Sequence, residues 1–543
     1  MADNSASVLV VGLDGGTFGV LGPMMRKGIL PNLARVADRG IQAELRSTIP
    51  PVTAPAWSSF MTGKNPGKHG LFGWQRPITA EYQRTWADAR YIRADKLWHI
   101  IGRQGKKVGV VNVPMTYPPE QVNGFLISGM LTPSSSTNFV YPAELAAQLD
   151  ALGYIVDLQI LRLDRDVKSV RGKVSLLADL REVVVRRERA LDELWAAGLS
   201  DFSMVVFETP DRIQHYMWDS LQHVLSGSDP EESGQVERGI VECYKEIDRA
   251  IGLLLQKGGE DSTIFVISDH GFSQLRTTVH VNDWLADLGF LAYRGGKKAV
   301  RMWARRPINL VQRCIPRAWL HRGRTAFDVL EVIDWPRTKA YLRASTDNGI
   351  CINLLGREPH GIVQAGREYD ALREEIKTLL TDLKDPCDGK PVMKEVLLRE
   401  ELYHGPYVAE APDIVFESNE GYAASSDLSR GAVLQDVSGE GRGDHSPEGV
   451  LIAAGPQIRS GQGMTSAALI DLAPTILFAL GLSIPRDMDG DVLREMFEPS
   501  FLDKSRVNYC ESTPQDRAAP YERVFSLDEG DEIEDRLRGL GYL

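Results

Sequence analysis

Five short apolar segments, each ending in glycine, proline or an acidic residue, constrain the fold of this chain more than any other feature. They span residues 8–13, 107–113, 202–207, 263–268 and 449–454. Continuous apolar runs of this length are typical of strands that are buried on both faces of a sheet. Helix-like patterns lie between them, at residues 31–39, 94–104, 242–256 and 468–480. The alternation predicts an α/β fold with a largely parallel central sheet flanked by helices.

Two long segments interrupt this alternation. Residues 166–197 form a charged helical pattern, and residues 285–415 mix short strands with a helix near 367–383. Ligands of open α/β sheets bind beyond the carboxyl ends of the strands, so we predict that these segments form a cap there. The predicted divisions are a core in two parts (1–284 and 431–500), a helical insertion at about 151–200, an α+β cap insertion (285–430) and a C-terminal tail (501–543).

Net charge and cysteine pattern exclude some classes of partner and favour one cellular compartment. The formal net charge is −12, which argues against long nucleic acids and anionic membranes as partners. The five cysteines are scattered without a CxxC pair, which is unlike a disulfide framework or a thiolate zinc site and favours the cytoplasm. The first residues contain neither a basic segment nor an apolar run of signal-peptide length, so we expect no export and no anchor. The oligomeric state stays open.

Acidic and imidazole side chains follow the apolar segments at the ends where ligands bind. Asp14 ends the first segment, Asp269 and His270 end the fourth, and the pair 444–445 precedes the fifth. Beyond the third segment, Thr209 is the predicted N-cap of a helix and Pro210 its first residue. Asp211 and His215 are then four residues apart on one helical face, a spacing that allows both to bind one metal ion.

These motifs resemble those of the alkaline phosphatase superfamily, most closely the type I phosphodiesterase and nucleotide pyrophosphatase branch, among phosphohydrolases and phosphomutases. The matching pieces are Val-Gly-Leu-Asp14-Gly-Gly, Pro-Pro-Val-Thr53-Ala-Pro-Ala-Trp, Thr-Pro-Asp211-Arg-Ile-Gln-His215, Ser-Asp269-His270-Gly and Asp444-His445-Ser-Pro-Glu-Gly. The resemblance implies two divalent ions, usually zinc, with manganese or iron compatible with the same donors.

The resemblance also implies a role for each matching residue. Asp211, His215 and His445 would hold one ion. Asp14, Asp269 and His270 would hold the other, together with Thr53 as nucleophile. A metal helps to remove the threonine proton, and the product of attack on phosphorus is a phospho-threonine, which water on the Asp211 side hydrolyses. Three carboxylates against two divalent ions leave a net charge of +1, which attracts a phosphate.

Two departures from related motifs bear on the substrate. The segment Thr53-Ala-Pro-Ala-Trp lacks the Cys or Ser and the Arg of a sulfatase motif. Where nucleotide pyrophosphatases carry an Asn that donates to the phosphoryl oxygen, this chain has Trp74. Asn112 is a candidate substitute donor, or else an ordinary loop residue. Trp74 and Tyr117 are candidates for lining the leaving-group pocket, or else part of the packing.

The sequence therefore predicts a two-metal hydrolase of small phosphate esters. The nucleophile segment has aromatic and apolar residues and no arginine, which favours diesters or pyrophosphates over monoesters. Basic residues of the cap, for example at 301–306, could reverse this preference. The alternatives are a phosphomonoesterase or phosphomutase of the same superfamily and, third, a non-catalytic protein that binds a phosphate ligand.

Overall fold

The protein is described by a computed structural model, which places residues 7–76, 85–158, 167–227, 234–296, 329–429, 432–461, 464, 466–512 and 525–539. Up to residue 296 the elements are β1 (Val8–Leu13), α1 (Phe18–Arg26), α2 (Pro31–Arg39), β2 (Ile41–Arg46), α3 (Thr53–Thr62), α4 (Pro66–His69), α5 (Leu97–Arg103), β3 (Val108–Val113), β4 (Gly124–Ser128), β5 (Val140–Tyr141), α6 (Leu145–Ala151), α7 (Val170–Leu194), β6 (Phe202–Phe207), α8 (Thr209–Ser226), α9 (Gln235–Gly258), β7 (Thr263–Ile267), β8 (Gly271–Gln274), β9 (Thr277–His280) and α10 (Val281–Asp287).

The later part of the chain continues the series. Its elements are α11 (Val329–Val332), β10 (Ala340–Leu342), β11 (Gly349–Ile352), α12 (Arg367–Thr381), β12 (Met393–Leu398), α13 (Arg399–Leu402), β13 (Ile414–Ser418), β14 (Tyr422–Ser425), β15 (Leu434–Asp436), β16 (Gly443–Ser446), β17 (Glu448–Ala454), β18 (Ala467–Ala468), α14 (Leu472–Ala479), β19 (Ile484–Pro485), α15 (Pro499–Leu502), β20 (Tyr509–Cys510) and α16 (Leu527–Gly539).

A nine-stranded sheet forms the centre of the molecule, in the order β18-β2-β17-β7-β1-β6-β3-β4-β5. Strands β7, β1, β6, β3 and β4 run parallel, whereas β17 is antiparallel to both of its neighbours. The side chains of β1 and β6 are buried along their whole length because helices cover both faces. The predicted α/β fold with a largely parallel sheet is confirmed.

The register of the central strands brings their carboxyl ends to one level. Leu13 of β1 lies opposite Phe207 of β6, and Gly12 lies opposite Ile267 of β7. The residues that follow these strands therefore meet at one edge of the sheet. This alignment, which depends on pairing between segments about 195 and 255 residues apart, determines where the site forms.

The helical insertion differs from the expectation. Helix α7 packs along α9, and its buried residues, such as Leu177 and Val184, belong to the same hydrophobic cluster as Leu9 of β1. It therefore lies in the flanking layer of the core, because its apolar face needs a partner of comparable length, and it does not form part of a cap. The start of α8 also differs by one residue, since Glu208 occupies the N-cap and Thr209 is already helical.

The segment predicted as a cap contains a second sheet with its own hydrophobic cluster. Strands β10, β11, β13 and β12 form an antiparallel sheet, and α12 packs against it with Leu372 and Ile376 buried. We call this part the second unit (residues 329–429). The basic residues at 301–306 lie outside the described residues.

The C-terminal helix packs on the core. Ile533 and Leu537 of α16 are buried in the central hydrophobic cluster, and the indole of Trp86 donates to the carbonyl of Gly530 at 3.0 Å. Among the helices in the described ranges, none has both the length and the apolar character needed to cross a membrane. The described cysteines, at 243, 351, 387 and 510, are free thiols.

Candidate active site

The residues singled out in the sequence come together at the aligned strand ends. Asp14 follows β1, and Asp269 and His270 follow β7. Helix α8 starts directly after β6, so that its first two turns carry Asp211 and His215. The last two members of the set are Thr53, the first residue of α3, and His445 on β16.

Strand pairing brings His445 to the others from far along the chain. Strand β16 is antiparallel to β8, and in this register His445 lies opposite Phe272, two residues after His270. The imidazole rings of His270 and His445 stack with their centroids 3.6 Å apart. The pair Asp444-His445 therefore reaches the site by way of β8, the strand that directly follows Asp269 and His270.

Three of the side chains form a compact group around one carboxylate oxygen. Asp211 Oδ1 lies 3.3 Å from His215 Nε2 and 3.4 Å from His445 Nε2. The two Nε2 atoms are 3.1 Å apart. One oxygen and two ring nitrogens at this spacing match the first predicted ligand set, and all three can contact one cation.

The second group lies around His270. Its Nε2 atom is 3.6 Å from Asp14 Oδ1, 3.3 Å from Asp269 Oδ2 and 3.3 Å from Thr53 Oγ1. Ligand atoms of Asp14, Asp211 and His270 also lie within 4.8 Å of one another. Asp211 thus adjoins both groups, a shared position that the predicted division into two separate sets did not include.

Backbone carbonyls determine which nitrogen of each histidine carries the proton. His270 Nδ1 donates to the carbonyl of Gly271 at 3.1 Å, and His445 Nδ1 donates to the carbonyl of Pro51 at 2.9 Å. A carbonyl can only accept, so each Nδ1 carries hydrogen and each Nε2 atom is directed at the carboxylates. Such hydrogen bonds orient histidines that bind metals.

Burial and mutual repulsion perturb the acids and bases of the site. Burial, and then the charges of Asp269 and Asp211, raise the pKa of Asp14 well above its usual value. Burial raises the pKa of Asp269 to about 7. Burial, followed by the charge of His445, lowers the pKa of His270 far below its usual value and keeps this imidazole neutral. Burial would also raise the pKa of Asp211, but His215 and His445 hold it well below the usual range.

The donor set fits divalent cations. Asp14 Oδ1 and Asp269 Oδ2 are buried and accept no hydrogen bond from any of the described residues. His270 cannot supply one, because its Nε2 atom carries no proton in the tautomer fixed by Gly271. When Asp14 and Asp269 are ionised, lone pairs of nitrogen and oxygen face each other in a buried space, an arrangement that a cation stabilises. Oxygen and imidazole donors without thiolate suit zinc, manganese and iron.

Two residues support the site without having been assigned a role from the sequence. The indole of Trp57, four residues after Thr53 on α3, donates to Asp14 Oδ2 at 3.3 Å. Gly15 donates its N–H to Asp269 Oδ1 at 3.2 Å from a backbone with φ of 68°. A Cβ at residue 15 would lie 2.7 Å from Phe272, so both the conformation and the space require glycine. The spacing of Trp57 from Thr53 was the available signal for its role.

The predicted substrate-binding residues have other partners in the structure. Asn112 is buried, where its side-chain amide donates to the Val156 carbonyl at 2.5 Å and its oxygen accepts from the Tyr154 hydroxyl. Trp74 is fully buried in the central hydrophobic cluster. Tyr117 stacks on Phe525. The structure does not bring these three side chains into the group around Thr53, so their contact with substrate stays a prediction.

A buried chain of charges leads from the C-terminal helix to the site. Arg536 Nη1 lies 3.4 Å from Asp157 Oδ2, and Arg212 Nη2 lies 3.5 Å from Asp157 Oδ1. Arg212 Nη1 is in turn 3.9 Å from Asp211 Oδ2. The side chains of Arg536, Asp157 and Arg212 are 2%, 7% and 4% exposed, so the charges interact with little screening by water. Periodicity in the sequence contains no sign of this contact.

Comparison with known proteins points to one family. A profile of the type I phosphodiesterase / nucleotide pyrophosphatase family matches residues 8–448. No curated protein matches the chain significantly. Among solved structures, phosphonoacetate hydrolase from Sinorhizobium meliloti 1021 in complex with phosphonoformate is 16% identical, with a TM-score of 0.52 over 88% of this chain and 95% of that one. Human ectonucleotide pyrophosphatase / phosphodiesterase 5 is 13% identical, with a TM-score of 0.49 over 91% of this chain and 100% of that one.

Proposed function

The chain belongs to the type I phosphodiesterase / nucleotide pyrophosphatase family of phosphoester hydrolases, and from that premise we propose that it is a phosphodiesterase with two divalent ions and Thr53 as nucleophile. One observation carries the proposal. A buried threonine hydroxyl lies 3.3 Å from His270 Nε2. Five Asp and His side chains around it form two groups of close donor atoms, and a sixth, Asp269, lies 3.3 Å from His270 Nε2. Zinc is the first candidate for both ions, and manganese and iron are alternatives.

The proposed ligands form two sets, and Asp211 lies next to both. Asp211, His215 and His445 would hold one ion, and Asp14, Asp269 and His270 the other, next to Thr53. When bound, the ions supply Lewis acidity that lowers the pKa of a coordinated hydroxyl or water and offsets charge on the phosphoryl oxygens. Trp57 and Gly15 orient the carboxylates of Asp14 and Asp269 through their N–H groups.

The position of Thr53 at a helix start suits attack on a phosphodiester. Thr53 is the first residue of α3, where the backbone N–H groups point away from the helix and carry partial positive charge. Pro55 has no N–H, so of the first three residues Thr53 and Ala54 carry the N–H groups that would face developing negative charge in this mechanism. Thr53 Oγ1 loses its proton and forms a bond to phosphorus, and the ester bond to the departing alcohol breaks.

The second half of the reaction restores the enzyme. The departing alkoxide takes up a proton, which leaves a phospho-threonine that still carries the remaining ester substituent. Water entering on the Asp211 side attacks phosphorus, the bond to Thr53 Oγ1 breaks, and the hydroxyl regains a proton. The net reaction is hydrolysis of a small phosphodiester to an alcohol and a phosphomonoester. A cytoplasmic location for this activity rests on the sparse cysteines without a CxxC pair, of which the four described ones are free thiols.

A paired assay tests the proposal. Protein loaded with zinc or manganese should hydrolyse methyl p-nitrophenyl phosphate with kcat/KM about 10-fold or more above that for p-nitrophenyl phosphate, about 1.4 kcal/mol of differential transition-state binding. The physical reason is that a monoester carries an additional negative charge, and residues 50–57 contain no Arg or Lys to offset it.

Each other result has a defined meaning. A preference for the monoester would replace the proposal by a phosphomonoesterase or phosphomutase and leave the metal ligands unchanged. Metal-loaded protein that hydrolyses neither ester would contradict an enzymatic role and favour a protein that binds a phosphate ligand. Thr53→Ala, which keeps all six Asp and His ligands, is the matched control in every assay.

A further inference from the structure

A cavity opens beside the proposed active site. Its volume is about 500 Å³, and its lining includes His445, Pro51 and Val52 on the core side. The opposite wall belongs to the second unit and includes Asn348, Lys394 and Tyr422. Thr53 follows Val52 directly and is buried, whereas His445 lines the cavity. A phosphodiester whose phosphorus lies at Thr53 would place one of its ester substituents in this space.

The charged groups of the cavity wall are mostly acidic. The described lining residues include five carboxylates and a single ammonium, which gives a formal charge of −4. The acidic members come from β2 and β17 of the central sheet, from β16 and from the second unit. They are Glu44, Glu417, Glu420, Asp444 and Glu448, and the basic member is Lys394. A negatively charged substituent would therefore be repelled from most of the wall.

The ammonium of Lys394 is already engaged. Its Nζ atom lies 2.6 Å from Glu417 Oε1 and 3.6 Å from Glu448 Oε1. Glu417 is 2% exposed and also pairs with Arg46, whose Nη2 atom is 2.8 Å from Glu417 Oε2. These four residues join the core to the second unit with a net charge of zero. An anion in the cavity would have to compete with two glutamates for this lysine.

The polar lining favours a ligand that donates hydrogen bonds. Ionised carboxylates only accept, and they are the charged majority of the wall, whereas the amide side chains of Gln274 and Asn348 can both accept and donate. The ring of Tyr422 supplies an aromatic surface next to them. Hydroxyl and ammonium groups can donate to these carboxylates, whereas phosphate and carboxylate groups cannot and are repelled by them.

We propose that this cavity binds one ester substituent of the substrate and selects substituents that donate hydrogen bonds and carry no negative charge. This inference rests on the proposed phosphodiesterase activity. It defines the substrates as diesters of polyhydroxy or amino alcohols. Diesters whose non-leaving substituent is anionic are poor substrates, because that substituent would lie against a wall with a formal charge of −4.

A series of matched substrates tests the selectivity. Three p-nitrophenyl phosphodiesters would differ only in the second substituent, which is 2,3-dihydroxypropyl (neutral), 2-trimethylammonioethyl (cationic) or 2-carboxyethyl (anionic). We expect kcat/KM for the 2,3-dihydroxypropyl diester to exceed that for the 2-carboxyethyl diester by about 10-fold or more at low salt, with a smaller ratio at 1 M salt, where charges are screened. The cationic diester has no hydroxyl group on its second substituent and therefore distinguishes two causes of this preference. Activity equal to or above that of the neutral diester indicates that charge is the cause. Lower activity indicates that hydrogen-bond donation by the hydroxyl groups is the cause.

Variants of the wall link this preference to the cavity. Glu44→Gln/Glu420→Gln removes two exposed carboxylates of the lining and should reduce the penalty against the anionic diester by about 3- to 5-fold. Glu193→Gln/Glu375→Gln makes the same charge change at exposed positions of α7 and α12, outside the cavity, and should leave the ratio unchanged. Calorimetry with the Thr53→Ala protein should reproduce the same order of binding without turnover.

The outcomes distinguish failure of the cavity assignment from failure of the proposed phosphodiesterase activity. Hydrolysis of methyl p-nitrophenyl phosphate together with equal kcat/KM for the neutral, cationic and anionic diesters would overturn the cavity assignment and leave the phosphodiesterase activity intact. A preference for the anionic diester, or an equal response of both double variants, would overturn it as well. Absence of hydrolysis of any diester would instead contradict the proposed activity.

Discussion

Replacing Arg187 by methionine tests a buried ion pair that stabilises the helix carrying Asp211 and His215. The guanidinium is 1% exposed and donates to the carboxylate of Glu208, the N-cap residue of α8, at 2.6 Å. It also donates to the carbonyls of Val206 and Val156 at 2.7 and 3.0 Å. Helix α7 is thereby tied to the end of β6, next to the strand edge where the site forms.

The expected loss in unfolding free energy follows from the buried carboxylate that the substitution leaves unpaired. Methionine retains much of the aliphatic stem, so the main loss is the charge that offsets a buried carboxylate. Removing one member of a buried ion pair costs ~3–5 kcal/mol, because the other charge stays without compensation. We expect a decrease of about 4 kcal/mol in the free energy of unfolding. Converting Glu208 to glutamine in the same protein removes the unpaired charge and should recover about 2 kcal/mol of this loss.

The pH dependence has a defined sign. Burial raises the pKa of Glu208 in the folded protein, and Arg187 opposes that shift. Without Arg187 the folded-state pKa rises further above the unfolded value. A folded-state pKa that is raised contributes stability below the unfolded pKa, and this contribution disappears as the pH rises through the folded pKa. The deficit of Arg187→Met relative to wild type should therefore be larger at pH 8 than at pH 5.

Urea unfolding monitored by circular dichroism measures these differences, with the midpoint and slope compared at both pH values. Arg189→Met is the matched control, since Arg189 is exposed on the same helix and its loss should change the unfolding free energy by less than ~0.5 kcal/mol. A deficit below about 1 kcal/mol for Arg187→Met, or one that is the same with Glu208→Gln added, would refute the reasoning.

Three further predictions concern the site. Elemental analysis of purified protein should find about two divalent ions per chain, and His215→Ala should lower that number. Protein that contains no metal and that no added divalent ion activates would contradict the ligand assignment. Thr53→Ala should fold and retain metal but lose at least ~1,000-fold in kcat, whereas Thr53→Ser should keep part of the activity. A wild-type kcat for the Thr53→Ala variant would exclude Thr53 as nucleophile. Arg536→Ala should reduce kcat and thermal stability, because Asp157, which also contacts Arg212, loses a buried partner 3.4 Å away. Arg238→Ala, on an exposed turn of α9, tests whether any arginine loss has this effect.

Much of the fold could be predicted from local pattern. The strands at Val8–Leu13 and Phe202–Phe207 begin and end where the apolar runs do, because a strand buried on both faces needs continuous apolar side chains. Helix Pro31–Arg39 likewise matches its periodicity. The sequence pattern also led to one wrong placement, because the charged, amphipathic composition of α7 suggested part of a cap. Its apolar face lies in the core against α9.

What the sequence by itself determined is the identity and order of the chemical groups: Asp14, Thr53, Asp211 with His215, and Asp269 with His270, each next to a strand end or helix start that its neighbours specify. Tertiary structure decided which atoms meet. His445 reaches the site only because β16 pairs with β8, Asp211 adjoins both ligand groups, and Arg536 contacts Asp157 across 379 residues of sequence. The cavity wall is likewise assembled from strands of four sheets. Local composition sets the propensity of a segment, whereas contacts between distant segments depend on register and packing, which no local pattern encodes.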